Sequence, residues 1–325
     1  MVPVCEITED SKTSPDLRLT RQDCCLCEAG HSVLEAHGKD FEYGTSDDEF
    51  HVVRCLTCGL LYLDPRPDVS ELDRIYPSTY HAFQFSSENF GLAYRVRCRL
   101  EARRLLSACK GLKAGAKILD VGCGDGFHLR LLKEFGHPSW RLQGIDTSDR
   151  AVTAARRAGL DVLQVSIQEA GLPTGSFDLV FLLATIEHVS DPVAVLNAVS
   201  RLLTPGGRVV IVTDNTATLD RWIFGARHWG GYHFPRHWNL FERKTLQRLA
   251  SKVSLEVVNI ETIVSPVNWV YSIRNWLQDR GAPHWLYDSF SLKSALPLAV
   301  FTLIDLGFQI AGHGALLRAT LRRSS

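Results

Sequence analysis

Five short apolar runs punctuate residues 117–213, separated by turns and by stretches of helical period. Lys117–Val121, Arg141–Asp146, Asp161–Val165, Phe177–Leu183 and Arg208–Thr213 predict strands. Phe177–Leu183 is nearly all apolar, as a parallel strand covered on both faces must be. Val193–Leu203 predicts a helix that Thr204-Pro-Gly-Gly207 stops. Further on, Leu255–Ile263 reads as a sixth strand and Gly314–Arg322 as a last, antiparallel one. Strands alternating with helices of about 10 to 15 residues imply an α/β fold, a doubly wound Rossmann-like sheet of seven mostly parallel strands. Such a sheet binds its ligand outside the carboxyl ends of the strands.

The first strand runs into Asp120-Val-Gly-Cys-Gly-Asp-Gly126 and then into a helix. Gly122, Gly124 and Gly126 permit φ > 0 and a close approach of backbone to ligand, while Asp120 can accept from a ligand ammonium or order the loop. The spacing Asp-x-Gly-x-Gly-x-Gly differs from the dinucleotide fingerprint and resembles the first motif of class I S-adenosylmethionine (SAM) dependent methyltransferases. The second strand ends at Asp146, about twenty positions on, where nucleotide folds place a carboxylate on the ribose hydroxyls. Asp146 reads equally as a helix N-cap, as do Thr147 and Ser148.

At 325 residues and 45% hydrophobic, the chain can hold one large core and an appendage. Its net charge of zero argues against a long polyanion as main partner, since phosphate affinity comes from clustered Lys and Arg. Arg95, Arg97, Arg99, Arg103 and Arg104 read as the solvated face of a helix ahead of the first strand. No apolar stretch follows a basic start, so a cytoplasmic protein is expected. There, nine cysteines are better read as metal ligands and buried thiols than as disulfides. Cys24-x-x-Cys27 and Cys55-x-x-Cys58 form two knuckles whose thiolates can converge on one tetrahedral zinc, structural because four thiolates leave no open position. Cys25 is out of register, Gly59 relieves the backbone after the last ligand, and an iron site of the same shape stays open.

A Pro-Arg-Pro67 turn and a Tyr76-Pro…Tyr80 segment follow, and aromatics continue through Phe83 and Phe85. Together with the second knuckle, these motifs resemble a bacterial group of zinc-ribbon methyltransferases over residues 24 to 260, with a core similar to ubiquinone-type O-methyltransferases and sugar methyltransferases. The expected organisation is a tail (1–22), a zinc ribbon (23–68), a helical connector (69–115), a SAM-binding core (116–263) with a substrate-side insertion (214–241), an aromatic-rich helical lid (264–312) and the last strand and tail (313–325).

The resemblance implies SAM as cofactor, held by Asp120, Gly122, Cys123, Gly124, Asp146, Thr147, Ile167 and Leu183, with Ile167 against the adenine ring. Attack on the methyl must be in line with the departing sulfur, which leaves as a neutral thioether. The protein then works mainly by positioning in a dry cleft and, for a hydroxyl nucleophile, by removing a proton. Glu187 and His188, at the end of the fourth strand, are candidates for that step or else orient the following loop. In Trp229–Trp238, Pro235-Arg-His237 resembles a signature that folds over the substrate. His237 is then the base and His233, Arg236 and Trp229 contact the acceptor, unless this loop only packs on the sheet edge. Relatives with Glu-x-x-Glu-His bind a divalent ion, but Ala184 stands where the first glutamate belongs.

Six of the seven tryptophans follow residue 221, and Ala295–Ile304 is an apolar run too short to span a bilayer. These features fit a lid, an oligomer surface or a helix lying in a membrane interface. The expected activity is methyl transfer from SAM to a small or lipid-linked metabolite, at oxygen. The alternatives are an RNA methyltransferase reading its substrate through the ribbon and a non-catalytic SAM-binding or scaffold protein.

Overall fold

The structure, a computed structural model, describes residues 16–77, 80 and 87–323; Phe83 and Phe85 lie outside these. The N-terminal region carries β1 (Leu19–Thr20), β2 (Ser32–Gly38), β3 (Phe50–Cys55), β4 (Leu61–Leu63) and β5 (Arg66–Pro67), then α1 (Leu72–Ile75) and α2 (Ser87–Ala108). The core continues through β6 (Lys117–Val121), α3 (Phe127–Phe135), β7 (Arg141–Asp146), α4 (Asp149–Arg157), β8 (Val162–Gln164), β9 (Phe177–Leu183), α5 (Pro192–Leu202) and β10 (Leu203–Asp214). After it come α6 (Leu219–Phe224), β11 (Asn239–Leu240), α7 (Arg243–Lys252), β12 (Leu255–Ile263), α8 (Val267–Asp279), α9 (His284–Tyr287), α10 (Ala295–Ile310) and β13 (Leu316–Arg323).

Seven strands form one sheet in the order β12-β13-β10-β9-β6-β7-β8, parallel from β10 to β8, with β13 antiparallel to both its neighbours. Strand β9 shows why it needs apolar residues throughout. Leu179 and Phe181 face a cluster with Ala102, Leu105 and Leu131 from α2 and α3. Val180 and Leu182 face the opposite cluster, with Val195 and Val199 of α5 and Leu246 and Leu249 of α7. Such burial is worth about 1.5–3 kcal/mol per large aliphatic side chain.

The helix stops as expected, at Leu202, and Thr204–Gly207 forms an irregular first part of β10. Leu203 pairs with Phe177 and Arg208 with Leu179, so the ladder skips across the intervening residues. Gly206, at φ +80°, supplies the turn this detour requires. The apolar run Ala295–Ile304 lies in a helix, α10, that continues past it. Asp305 is buried and accepts from the backbone of Ser265 (2.8 Å) and Ala315 (3.2 Å), which lets α10 continue to Ile310. Arg95, Arg99 and Arg103 of α2 are exposed, as expected, whereas Arg104 reaches the Val264 carbonyl at 2.8 Å.

The region expected to be a zinc ribbon is packed into the core on both faces rather than standing apart. Its sheet runs β11-β4-β3-β2, so the last residues of the insertion supply an edge strand, with Asn239 opposite Tyr62 and Leu240 opposite Leu61. Alternation along the strands buries both faces. Val53, Cys55, Leu60 and Tyr62 join the cluster that covers the large sheet. Phe50, Val52, Leu61 and Leu63 pack with Trp229, Tyr232, Phe234 and Trp238 of the insertion.

Candidate active site

The glycine loop leaves the carboxyl end of β6 and is tied to the next strand by Gly122 and Cys123, whose N–H groups donate to the Ile145 carbonyl at 2.8 and 3.1 Å. Gly122 has φ +72°, and a Cβ there would lie 2.5 Å from Cγ2 of Thr185, so the loop passes too close to the β9 turn for any side chain. Asp146, at the tip of β7, takes the Gly124 N–H on Oδ2 and the Ser148 N–H on Oδ1, both at 2.8 Å. The capping question is settled locally, because Ser148 is the N-cap of α4 and accepts from Ala151. Thr147 is exposed, Leu183 half-buried and Ile167 buried. Cys123 sits otherwise than expected. Its thiol turns inward to a cluster with Leu129, Val152 and Val162, and a Cβ on Gly144 would come within 2.6 Å of the sulfur. Its N–H is also already spent on Ile145.

Asp120 is buried beneath this loop, and neither carboxylate oxygen accepts a hydrogen bond from the described residues; the His128 ring nitrogen stands 3.9 Å away. Burial, and then the nearby Asp146, push its pKa up to about 8. A buried acid whose two acceptors take no hydrogen bond from the described residues suits a cationic donor such as an α-ammonium group. The residues present therefore fit the amino-acid end of SAM.

The second half of the site begins where β9 ends. Ala184 takes φ +51°, turning the chain so that Glu187 and His188 face the insertion. The Glu187 carbonyl accepts from the N–H groups of Trp238 (2.8 Å) and Asn239 (3.0 Å). Its carboxyl is buried, Oε2 has no hydrogen-bond partner among the described residues, and burial followed by Asp214 raises its pKa to about 8. His188 Nδ1 lies 3.0 Å from the Tyr76 hydroxyl and 3.1 Å from the Arg236 carbonyl. Burial, with His237 and His233 beside it, keeps that ring neutral well below its usual range.

His237 donates from Nδ1 to the Gly231 carbonyl at 2.8 Å, with Asp214 Oδ2 at 3.4 Å. Its ring centroid is 4.6 Å from that of His188 and 4.9 Å from that of His233. Ligand atoms of Glu187, His188 and His237 lie within 4.8 Å of one another. His233, at φ +40°, contacts Glu42 Oε1 at 2.8 Å through Nδ1, and burial pushes its pKa down to about 3.

Two expected acceptor contacts are placed elsewhere. Arg236 is fully buried, and its guanidinium is spent on Asp40 (3.1 and 2.9 Å), the Ile75 carbonyl (2.6 Å) and the Phe234 carbonyl (2.8 Å). Trp229 is buried in the ribbon–insertion cluster with Nε1 donating to Asp220 at 2.8 Å. In exchange, Tyr76, Asp40, Glu42 and Asp214 join the site. They come from three segments far apart in the chain, and no spacing rule connects these.

The four paired cysteines converge, with sulfurs all within 4.8 Å and the Cys24–Cys58 and Cys27–Cys55 pairs at 3.3 and 3.4 Å. The edge of a tetrahedral zinc–thiolate site is about 3.8 Å, so the donor set fits that ion. Cys25 stands apart and donates to Asn239 Oδ1 at 3.3 Å.

A family model described as a methyltransferase domain matches residues 92–260, just over half of the chain. The ubiquinone biosynthesis O-methyltransferase of Xanthomonas oryzae pv. oryzae is 39% identical over 109 residues, 31% of this chain and 44% of that protein. That of Idiomarina loihiensis is 29% identical over 163 residues, 46% of this chain and 65% of that protein. The matched stretch is thus less than two thirds of these relatives' length. Among solved structures, phosphoethanolamine N-methyltransferase 2 of Haemonchus contortus in complex with S-adenosyl-L-methionine is similar with a TM-score of 0.51 at 20% identity, over 90% of this chain and 69% of that one. The [4+2]-cyclase SpnF reaches 0.52 at 18% identity, over 80% and 97%. At such identities the likeness shows the fold alone. On the family match, the chain belongs to the methyltransferase-domain family and carries a class I SAM-dependent methyltransferase core.

Proposed function

We propose that the protein transfers a methyl group from SAM to an oxygen of a small or lipid-linked metabolite, by in-line displacement in a closed cleft. The observation that carries this reading is the buried carboxyl of Asp120, whose two oxygens accept no hydrogen bond from the described residues, under a glycine loop tied to Asp146. When bound, SAM supplies an electrophilic methyl on a sulfonium. Asp120 would hold the ammonium, Asp146 the ribose, and Ile167 the adenine face.

His237 is the proposed base. Because Nδ1–H is committed to Gly231, the lone pair is on Nε2 and can take the acceptor's proton as its oxygen bonds to the methyl carbon and the carbon–sulfur bond breaks. Asp214 and His188 hold that ring in place, and Glu187 anchors the insertion through its main chain. His233 stays at the acceptor side in this reading, whereas Arg236 and Trp229 hold the insertion together.

Cys24, Cys27, Cys55 and Cys58 are proposed to hold a structural zinc. The ribbon sheet has both faces covered, which favours an internal role over the reading of RNA. Peripheral membrane contact belongs to the same proposal. The outward side of α10 presents Leu296, Leu303 and Ile310, 70% or more exposed, and Trp285 is 75% exposed nearby in sequence. No helix among the described residues is long and apolar enough to cross a membrane. Calorimetric SAM titration, followed by transfer of labelled methyl into a metabolite extract, tests the reading. No binding would exclude both transfer and the non-catalytic binder, and binding without transfer to any acceptor would favour the latter.

A further inference from the structure

The geometry points to Asp40 as a positioning residue for the histidine pair His188 and His237, acting through Arg236, which makes the ribbon sheet a working part of the acceptor side. This rests on the role proposed for His237. Asp40 lies just past β2, in a loop that wraps its carboxylate with the Tyr43 N–H (3.1 Å), the Thr45 N–H (3.0 Å) and the Thr45 hydroxyl (2.6 Å). The bidentate pair with Arg236 completes it, with both side chains fully buried. Burial opposes its charge, but the guanidinium holds the Asp40 carboxyl below the usual carboxylate range.

Arg236 is the hub of this arrangement. Its guanidinium stacks 4.4 Å over Tyr43 and bonds the connector at Ile75, so three segments fix one side chain. Its carbonyl meets Nδ1 of His188 at 3.1 Å, its N–H donates to the His233 carbonyl at 2.8 Å, and His237 is its chain neighbour. A buried ion pair is weak as a source of stability, since apolar side chains of equal volume serve as well or better, but it fixes direction and register. Here the direction it fixes is that of the main chain presenting both rings. The neighbouring Glu42 reaches His233 from the same ribbon loop, a second tie in the same sense.

The test is Asp40→Asn in the full zinc-loaded chain, read by long-range proton–nitrogen spectra of the histidine rings, with zinc content and SAM affinity measured alongside. The expected result is a changed tautomer signature for His188 and His237, with zinc content and SAM affinity as in the parent. Once an acceptor is known, kcat should fall about a hundredfold with little change in cofactor affinity. Asp40→Glu should recover part of the ring signature. Unchanged rings overturn the inference, as does a ring change that appears only with loss of zinc. Arg236→Lys keeps the charge and loses the fork, and is read in the same way. Failure of both variants to fold also counts against the inference, since it gives the pair a purely structural task. The ring spectra need neither acceptor nor turnover, so a failure of the methyl-transfer reading would show separately, in the SAM titration.

Discussion

Oδ2 of Asp146 accepts the backbone N–H of Gly124 at 2.8 Å, so the acidic tip of β7 sets the shape of the glycine loop that leaves β6. Changing Asp146 to Ala removes that bond as well as the proposed ribose contact. SAM affinity should fall by about tenfold to a hundredfold, from roughly 1–3 kcal/mol of lost charged hydrogen bonding. Calorimetry on the variant checks this, and an unchanged Kd would remove Asp146 from the cofactor site.

His237→Ala should separate the two halves of the site. Turnover should drop on the order of a hundredfold to ten-thousandfold with SAM affinity largely intact, as expected for loss of a general base. An equal loss of SAM binding in this variant and in Asp146→Ala would contradict the roles given to both residues.

Asp120 makes apo stability depend on pH. Its folded pKa, about 8, exceeds that of an unfolded aspartate, about 4, so the folded state keeps a proton that the unfolded chain has released. The contribution is full below about pH 4 and is lost as pH rises through about 8, and Glu187 (about 8) and Asp214 (about 7) act in the same direction. The melting temperature of the apo protein should decline across that window, and Asp120→Asn should flatten the decline. Binding of an ammonium beside Asp120 should release a proton near neutral pH, visible as a binding enthalpy that varies with the buffer; invariance would argue against the ammonium role.

Metal removal should be felt in the core. Cys24 and Cys55 lie in the cluster that contains Val180, Leu182 and Leu196 of the large domain. Stripping the metal, or Cys58→Ser, should lower the melting temperature by roughly 5 °C or more. Cys25→Ser should keep the metal, because its sulfur bonds Asn239 outside the four-thiol group. Elemental analysis distinguishes zinc from iron, and a metal-free chain of unchanged stability would refute the structural role.

Flotation with vesicles containing anionic lipid tests the outward face of α10. The parent should float, and Leu303→Asp together with Ile310→Asp should stay in the soluble fraction, since each exposed aliphatic group gains about 1.5–3 kcal/mol on burial. A parent that never floats would leave that face for a second copy or another protein.

The large sheet was legible in the sequence. The period-2 and all-apolar runs placed β6, β7, β9 and β12 at their observed positions, because burial on one or both faces leaves its mark residue by residue. The glycine loop and the cysteine knuckles were legible for a similar reason, since a positive φ or a shared ion constrains residues only a few positions apart. What the sequence could not decide was how distant segments meet. Arg236 read as a substrate arm, but tertiary packing brought Asp40 against it from 196 positions away and gave its charge a buried partner. The same packing set β11 on the ribbon, turned the thiol of Cys123 inward, and placed Tyr76 and Asp214 beside the histidines. Local patterns record which face of an element avoids water, and only the folded chain settles which charges and rings then find each other.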